Sequence, residues 1–137
     1  FASDSTHLMN AVDVVAMLIV AQYLFFGGLV AKSRRRFNVP APAVAGNEQF
    51  ERIYRVHMNT LEMMVALLPA LYAAARYLPN WIVVAAGTVF MVGRFIYWRD
   101  YVAAPSKRRL GFVLSIVPVC ALVLATLVAA TTSGSGA

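Results

Sequence analysis

Glu51-Arg52-Ile53-Tyr54-Arg55-Val56-His57-Met58-Asn59-Thr60-Leu61-Glu62 runs directly into an apolar segment long enough to enter a bilayer. Glu51, Arg52, Arg55, His57, Asn59 and Glu62 crowd into these twelve residues. An ionised side chain at mid-bilayer costs about 2.5–3.5 kcal/mol on the insertion scale. A helix whose only task is to span could use leucine instead. The run therefore needs a compensating interaction, and a polar ligand is the leading candidate. Pairing with other intramembrane polar groups, to pack helices or assemble subunits, is the plainer alternative.

The rest of the chain supplies the membrane context. Its 137 residues are 61% hydrophobic and 13% charged, against about 45–50% apolar and 25% charged for an average soluble domain. One domain, 1–137, is expected. Four apolar stretches stand out. Residues 8–31 hold one acid, Asp13, to which the sequence gives no clear role. Residues 56–75 hold His57, Asn59 and Glu62, residues 81–98 hold Arg94, and residues 110–130 hold no charge. Each approaches the ~20 residues that cross a ~30 Å hydrocarbon layer. The expected fold is all-α, an integral-membrane four-helix bundle with helices at about 8–33, 48–78, 81–104 and 106–130. The first stretch reads as a spanning helix rather than a secretory leader, because it lacks a basic start and runs into Lys32-Ser33-Arg34-Arg35-Arg36.

Charge placement gives an orientation. Lys32, Arg34, Arg35 and Arg36 follow the first stretch, and Lys107, Arg108 and Arg109 follow the third. The second connection has only Arg76. With four spans, loops one and three share a side, and the positive-inside rule puts both in the cytoplasm and both termini opposite. Each basic cluster abuts a span, so nucleic-acid binding is a poor explanation of the +6 net charge. The single cysteine, Cys120, reads as a buried inert thiol. No His/Cys pair has metal-site spacing, and no P-loop or dinucleotide fingerprint occurs.

Local signals place the elements. Residues 1–7 are polar and read as loose. Residues 37–47, with Pro40, Pro42 and Gly46, read as an ordered loop. Asn47 is an expected N-cap, with Glu48 in the first turn. Kinks are expected at Pro69 and Pro118. Pro105 marks the end of the third helix, and 131–137 form a Ser/Gly/Thr-rich tail.

Glu48, Arg52, Arg55, Asn59 and Glu62 are spaced 4, 3, 4, 3 and so share one helical face. Arg94, Tyr97 and Tyr101 share a face of the third helix, with Arg108 seven residues further on, past Pro105. Both stripes open toward the basic loops. A ligand bearing carboxylates, an amine and a thiol suits them. Arginines bind carboxylates bidentately, Glu62 would take an ammonium, and Asn59 offers donor and acceptor. A thiol of ordinary pKa ~8.5 needs a nearby cation to ionise at neutral pH. The plainer readings are Arg55–Glu62 or Arg94–Glu62 pairing, and interfacial-belt placement of Tyr97 and Tyr101. His57, off the stripe, reads as a structural hydrogen-bonding residue.

The run quoted at the outset resembles the second-helix signature of the MAPEG family, the membrane-associated proteins of eicosanoid and glutathione metabolism. Ser33-Arg34-Arg35-Arg36-Phe37-Asn38-Val39 resembles that family's basic first loop. Gly93-Arg94-Phe95-Ile96-Tyr97, Tyr101 and Arg108 resemble its third helix and following loop. The pieces align without a gap over about residues 8–130. They are most similar to the leukotriene-C-synthase-like and microsomal-glutathione-transferase branches, with a bacterial-type form of the second-helix motif.

This resemblance implies a homotrimer with glutathione, as substrate, in clefts between subunits near the cytoplasmic face. It implies that Arg55, Asn59, Glu62, Arg94, Tyr97 and Tyr101 bind the tripeptide and that Arg108 stabilises its thiolate. Arg34 and Arg35 match a first-loop arginine near the site or second substrate, Arg34 on the binding side and Arg35 on the catalytic side. Arg109 is the neighbour on which Arg108's role could instead fall. The implied function is a transferase, with peroxidase activity as a companion, acting on a lipophilic electrophile from the bilayer; membrane lipid is the other implied partner. Three positions depart from the pattern. Met63 stands where leukotriene-type members carry a glutathione-contacting Tyr, Val65 where many carry Pro, and Thr60 where prostaglandin-E-synthase-like members carry Asp. They favour a broader transferase or peroxidase over a specific eicosanoid synthase. Two rivals remain: a non-catalytic lipid-binding scaffold of the same fold, and a four-helix drug/proton antiporter, which would place its essential Glu in helix one.

Overall fold

The computed structural model describes residues 2–134. The described residues form four helices: α1 (Ala2–Phe37), α2 (Glu48–Ala74), α3 (Asn80–Ala103) and α4 (Arg109–Gly134), with a single 3-10 turn (Pro105–Lys107) before α4. Three segments are long and apolar enough to cross a membrane: Asn10–Phe37, Asn80–Ala103 and Arg109–Gly134. α2 is long enough, at 27 residues, but its polar side chains, His57, Asn59 and Glu62 among them, keep it out of that set.

Several boundaries differ from the sequence expectation. α1 continues to Ala2 at one end, where loose residues are expected. At the other it continues to Phe37, so the basic cluster expected in a loop occupies its last turns. Arginines there complement the negative end of the helix dipole, which favours extending the helix. Asn38, at φ 53°, then supplies the left-handed C-terminal position. Val39 N–H donates to Arg34 C=O across it at 3.1 Å.

α2 begins as its sequence implies. Asn47 Oδ1 accepts from Phe50 N–H at 3.0 Å, with Glu48 and Glu51 in the first turn. α2 ends at Ala74 rather than 78. The chain tightens through Arg76 N–H to Ala73 C=O and Tyr77 N–H to Ala74 C=O, and Pro79 disfavours a helical conformation at Leu78. α4 runs beyond 130, where the Thr131 and Thr132 hydroxyls donate to Leu127 C=O and Val128 C=O; of the expected tail, 135–137 lie outside the described residues.

The main core joins all four helices through Val12, Ile19, Leu67, Leu71, Val83, Phe90 and Leu122. α3 and α4 make the most extensive helix pair, and small residues explain it. Gly111 lies on the backbone of Tyr97, and Gly93 lies on Leu114 and Ser115. Such positions let helix backbones approach where apolar burial alone drives little association in lipid. Cys120, expected to be buried, is exposed. α4 turns only Gly111, Ser115, Pro118, Val119 and Leu122 inward, and position 120 is off that face.

Polar side chains inside the bundle mostly serve the backbone. Gln22 Nε2 donates to Met91 C=O at 2.8 Å, joining α1 to α3. Asp13, without an evident role in sequence, accepts from Tyr72 Oη at 3.0 Å. Arg34 donates to Val39 C=O and Ala43 C=O, at 3.2 and 2.6 Å, and covers the Phe50 ring. Arg52 pairs with Glu48 and donates to Val102 C=O and Ala103 C=O at 3.0 and 3.3 Å. It thereby satisfies carbonyls that the end of α3 would otherwise leave open. Arg52→Ala is expected to lower stability by about 1.5–3 kcal/mol, the range of hydrogen bonds to charged groups, measured by thermal unfolding in a fixed detergent.

Candidate functional site

The two polar stripes meet in a groove between α2, α3 and the start of α4. Arg55, Asn59, Tyr97, Tyr101, Ser106, Arg108, Arg109 and Phe112 line its ~510 Å³. Helical spacing accounts for this. Arg55 and Asn59 are one turn apart on α2, as are Tyr97 and Tyr101 on α3. The 3-10 turn at Pro105 then brings Arg108 and Arg109 to the same groove.

Five sequence candidates are on this groove: Arg55, Asn59, Tyr97, Tyr101 and Arg108. The other four are not on it, for different reasons. Glu62 meets Arg55 from one side, its Oε1 and Oε2 each 3.3 Å from a guanidinium nitrogen. This is the plainer pairing weighed in sequence, but both side chains are about half exposed. A pair so hydrated is worth about 0–1 kcal/mol, so a ligand could take either partner.

Arg94 does not reach the groove surface. It is fully buried behind Tyr97, with its guanidinium 4.2 Å from that ring's centre. Nε donates to Thr60 Oγ1 at 3.2 Å, and Nη1 lies 3.2 Å from Met63 Sδ. The alternative Arg94–Glu62 pair is not formed, and no carboxylate lies within 4 Å of Arg94 among the described residues. Nη2 has no partner. Met63 is thus a buried contact of Arg94 rather than a groove residue. Tyr97 in turn stacks on Tyr101, ring centres 5.3 Å apart and 10° from parallel. The groove wall is therefore a three-layer stack of cation, ring and ring.

Arg34 and Arg35 stand apart from the groove within one chain. Arg34 is held by the 38–47 connection, as described, while Arg35 is exposed on the last turn of α1. His57 packs rather than hydrogen-bonds: its ring stacks on Tyr23 at 4.5 Å and covers Gly27.

The sequence reading missed Ser106 and Phe112. Phe112 had a signal, since it lies one turn beyond Arg108. Ser106 had none, because its place depends on how the chain turns at Pro105.

The groove's chemistry is one-sided. Three arginines line it, and the nearest carboxylate, Glu62, is already engaged by Arg55. Asn59 Oδ1 is buried on this face without a partner. A buried unpaired acceptor is costly enough that native proteins rarely leave one unmatched. The site suits an anion of several charges that also carries an N–H donor.

These features define a class: an all-helical membrane protein whose second, third and fourth helices enclose a cationic groove at one end of its apolar helices. The chain belongs to the MAPEG family, whose sequence model matches residues 12–128. An uncharacterized protein of Synechocystis is 36% identical over 114 residues, 83% of each chain. Human microsomal glutathione S-transferase 2 is 34% identical over 102 residues, 74% of this chain and 69% of that protein. Bovine leukotriene C4 synthase is 29% identical over 105 residues, 77% of this chain and 68% of that enzyme.

Proposed function

We propose that this protein is a membrane glutathione transferase that ionises the glutathione thiol in the α2–α3–α4 groove and joins it to a lipophilic electrophile. The observation that carries the proposal is that Arg55, Arg108 and Arg109 line one groove together with Asn59, whose Oδ1 has no partner among the described residues. Glutathione supplies two carboxylates for the arginines, amide N–H groups for Asn59 and an ammonium for Glu62. Arg108 lines the groove and stabilises the thiolate through charge. The thiol proton passes to solvent. The sulfur lone pair then forms a carbon–sulfur bond as a halide leaves, or as an epoxide opens and its oxygen takes a proton. The relatives named as a glutathione S-transferase and a leukotriene C4 synthase support this reading.

In the same proposal the whole chain acts as one domain and α2 also crosses the bilayer. The basic end of α1 and the basic turn between α3 and α4 face the cytoplasm, with both termini opposite. Three copies assemble with the grooves at their contacts. That arrangement would bring the exposed Arg35 of a neighbour to a groove that its own chain does not let it reach. Arg34, tied to Val39, Ala43 and Phe50, then has a scaffold role instead. Peroxidase activity follows if the thiolate attacks the terminal oxygen of a hydroperoxide, the O–O bond breaks and the alkoxide takes a proton and leaves as an alcohol, and a second glutathione then resolves the sulfenic acid to a disulfide and water.

The test is conjugation of a generic aryl halide by the purified protein, with other low-molecular-weight thiols run beside glutathione. Glutathione binding without turnover on any electrophile would favour a lipid-binding scaffold. Glu62→Gln separates ligand binding from packing. It is expected to change stability by less than about 1 kcal/mol, as for an exposed pair, while raising the KM for glutathione.

A further inference from the structure

A second groove lies on the other flank of the molecule, between the basic end of α1, the start of α2 and the end of α3. Leu29, Lys32, Ser33, Arg36, Phe37, Ile53, Trp98 and Val102 line its ~190 Å³. Its walls are apolar and its rim is cationic. Lys32 and Arg36 are one turn apart and share a face, and both are exposed. Neither has a carboxylate within 4 Å among the described residues. The nearby acids Glu48 and Asp100 are engaged by Arg52 and Arg99. Ser33 Oγ donates to Val30 C=O at 2.9 Å, so the charged donors left to the groove are Lys32 and Arg36, the latter with its guanidinium over the Phe37 ring at 5.2 Å. Trp98 forms a fixed wall, its indole edge-on to Phe25 at 5.8 Å and tilted against Phe26 at 6.1 Å.

The height of this groove decides its occupant. Lys32 and Arg36 close the apolar run of α1, where a membrane helix passes into the headgroup layer, and the apolar walls lie on the hydrocarbon side of them. We propose that this groove binds an anionic phospholipid, with the phosphate on Lys32 and Arg36 and an acyl chain along Leu29, Ile53 and Trp98. Basic pockets between transmembrane helices select anionic headgroups, and an interfacial tryptophan suits the level at which chain meets headgroup. A zwitterionic lipid would bring its own ammonium against two unpaired cations. The site shares no lining residue with the α2–α3–α4 groove and does not depend on the glutathione reading.

Trp98 provides the measurement, because the chain has only one other tryptophan, Trp81. The protein carrying Trp81→Phe is placed in vesicles of phosphatidylcholine containing a minor fraction of lipid with brominated acyl chains. Brominated phosphatidylglycerol is expected to quench Trp98 at far lower mole fraction than brominated phosphatidylcholine. Two basic side chains near the surface correspond to a preference of roughly 30-fold. Lys32→Gln with Arg36→Gln is expected to abolish the preference while leaving the circular-dichroism spectrum unchanged. Each single substitution, scored the same way, is expected to remove part of it. Equal quenching by the two lipids, or a preference that survives the double substitution, would overturn the proposal. So would a Trp98 that no brominated lipid quenches, which would mean that a second copy of the chain covers the groove.

Discussion

Arg108→Ala is expected to lower glutathione-dependent turnover by roughly 100-fold or more, the usual loss when a preorganised donor to a developing anion is removed. Arg108 belongs to neither α3 nor α4. It closes the 3-10 turn, its N–H donating to Pro105 C=O at 3.4 Å. Its side chain is exposed and makes no ion pair among the described residues. Removing it should therefore change the fold little, and the loss should fall on kcat more than on KM.

The pH profile gives a second readout. A cation beside the thiol lowers its pKa, so the thiolate is present above that lowered value and is lost as pH falls through it. Without the cation, the rate is expected to climb only toward the ordinary thiol range near ~8.5. Titration of thiolate absorbance with bound glutathione measures the same shift directly. If Arg109→Ala reproduces both effects and Arg108→Ala reproduces neither, thiolate stabilisation belongs to the neighbouring arginine. Unchanged turnover and pH profile in both variants would remove this mechanism.

The second large effect is expected at Gly111. A β-carbon there would lie 2.5 Å from Tyr97 Cα and 2.7 Å from Tyr97 Cβ. The colliding atoms are largely backbone, so no side chain can rotate away. Gly111→Ala is expected to cost about 3 kcal/mol, the upper end for overpacking. It should also weaken glutathione binding, because the residue it displaces carries the groove wall. Gly28→Ala is the control: nothing lies within 4 Å of its added methyl. Helix propensity there favours alanine by about 1 kcal/mol. Thermal unfolding of both variants in one detergent, with glutathione binding measured beside it, checks the prediction. Equal stability of the two variants would mean that α3 and α4 do not pack as closely as described.

Much of the groove was legible in the sequence, because a helix converts spacing into direction. Arg55 with Asn59, and Tyr97 with Tyr101, could be placed together from intervals of three and four. The sequence left open what each polar group meets, since that depends on how helices are turned against one another. Arg52 looked like a member of the ligand stripe and instead ties α2 to the end of α3. Arg94 looked like a groove residue and lies behind one. Met63, a departure from the family pattern by sequence, gains a physical account as the thioether beside the Arg94 guanidinium. Cys120 shows the limit from the other direction, because a helix apolar on every side gives no sequence signal for which face turns inward.

α4 carries this last point into experiment. Leu110, Val113, Val117, Leu124, Leu127 and Val128 all face outward from a single chain. The free energy of folding is consequently shared with whatever solvates that side, be it acyl chain, detergent tail or another copy. A melting temperature for this protein is a property of a protein–amphiphile particle. It should rise or fall as the tail length of the surrounding amphiphile is varied, with no change in sequence.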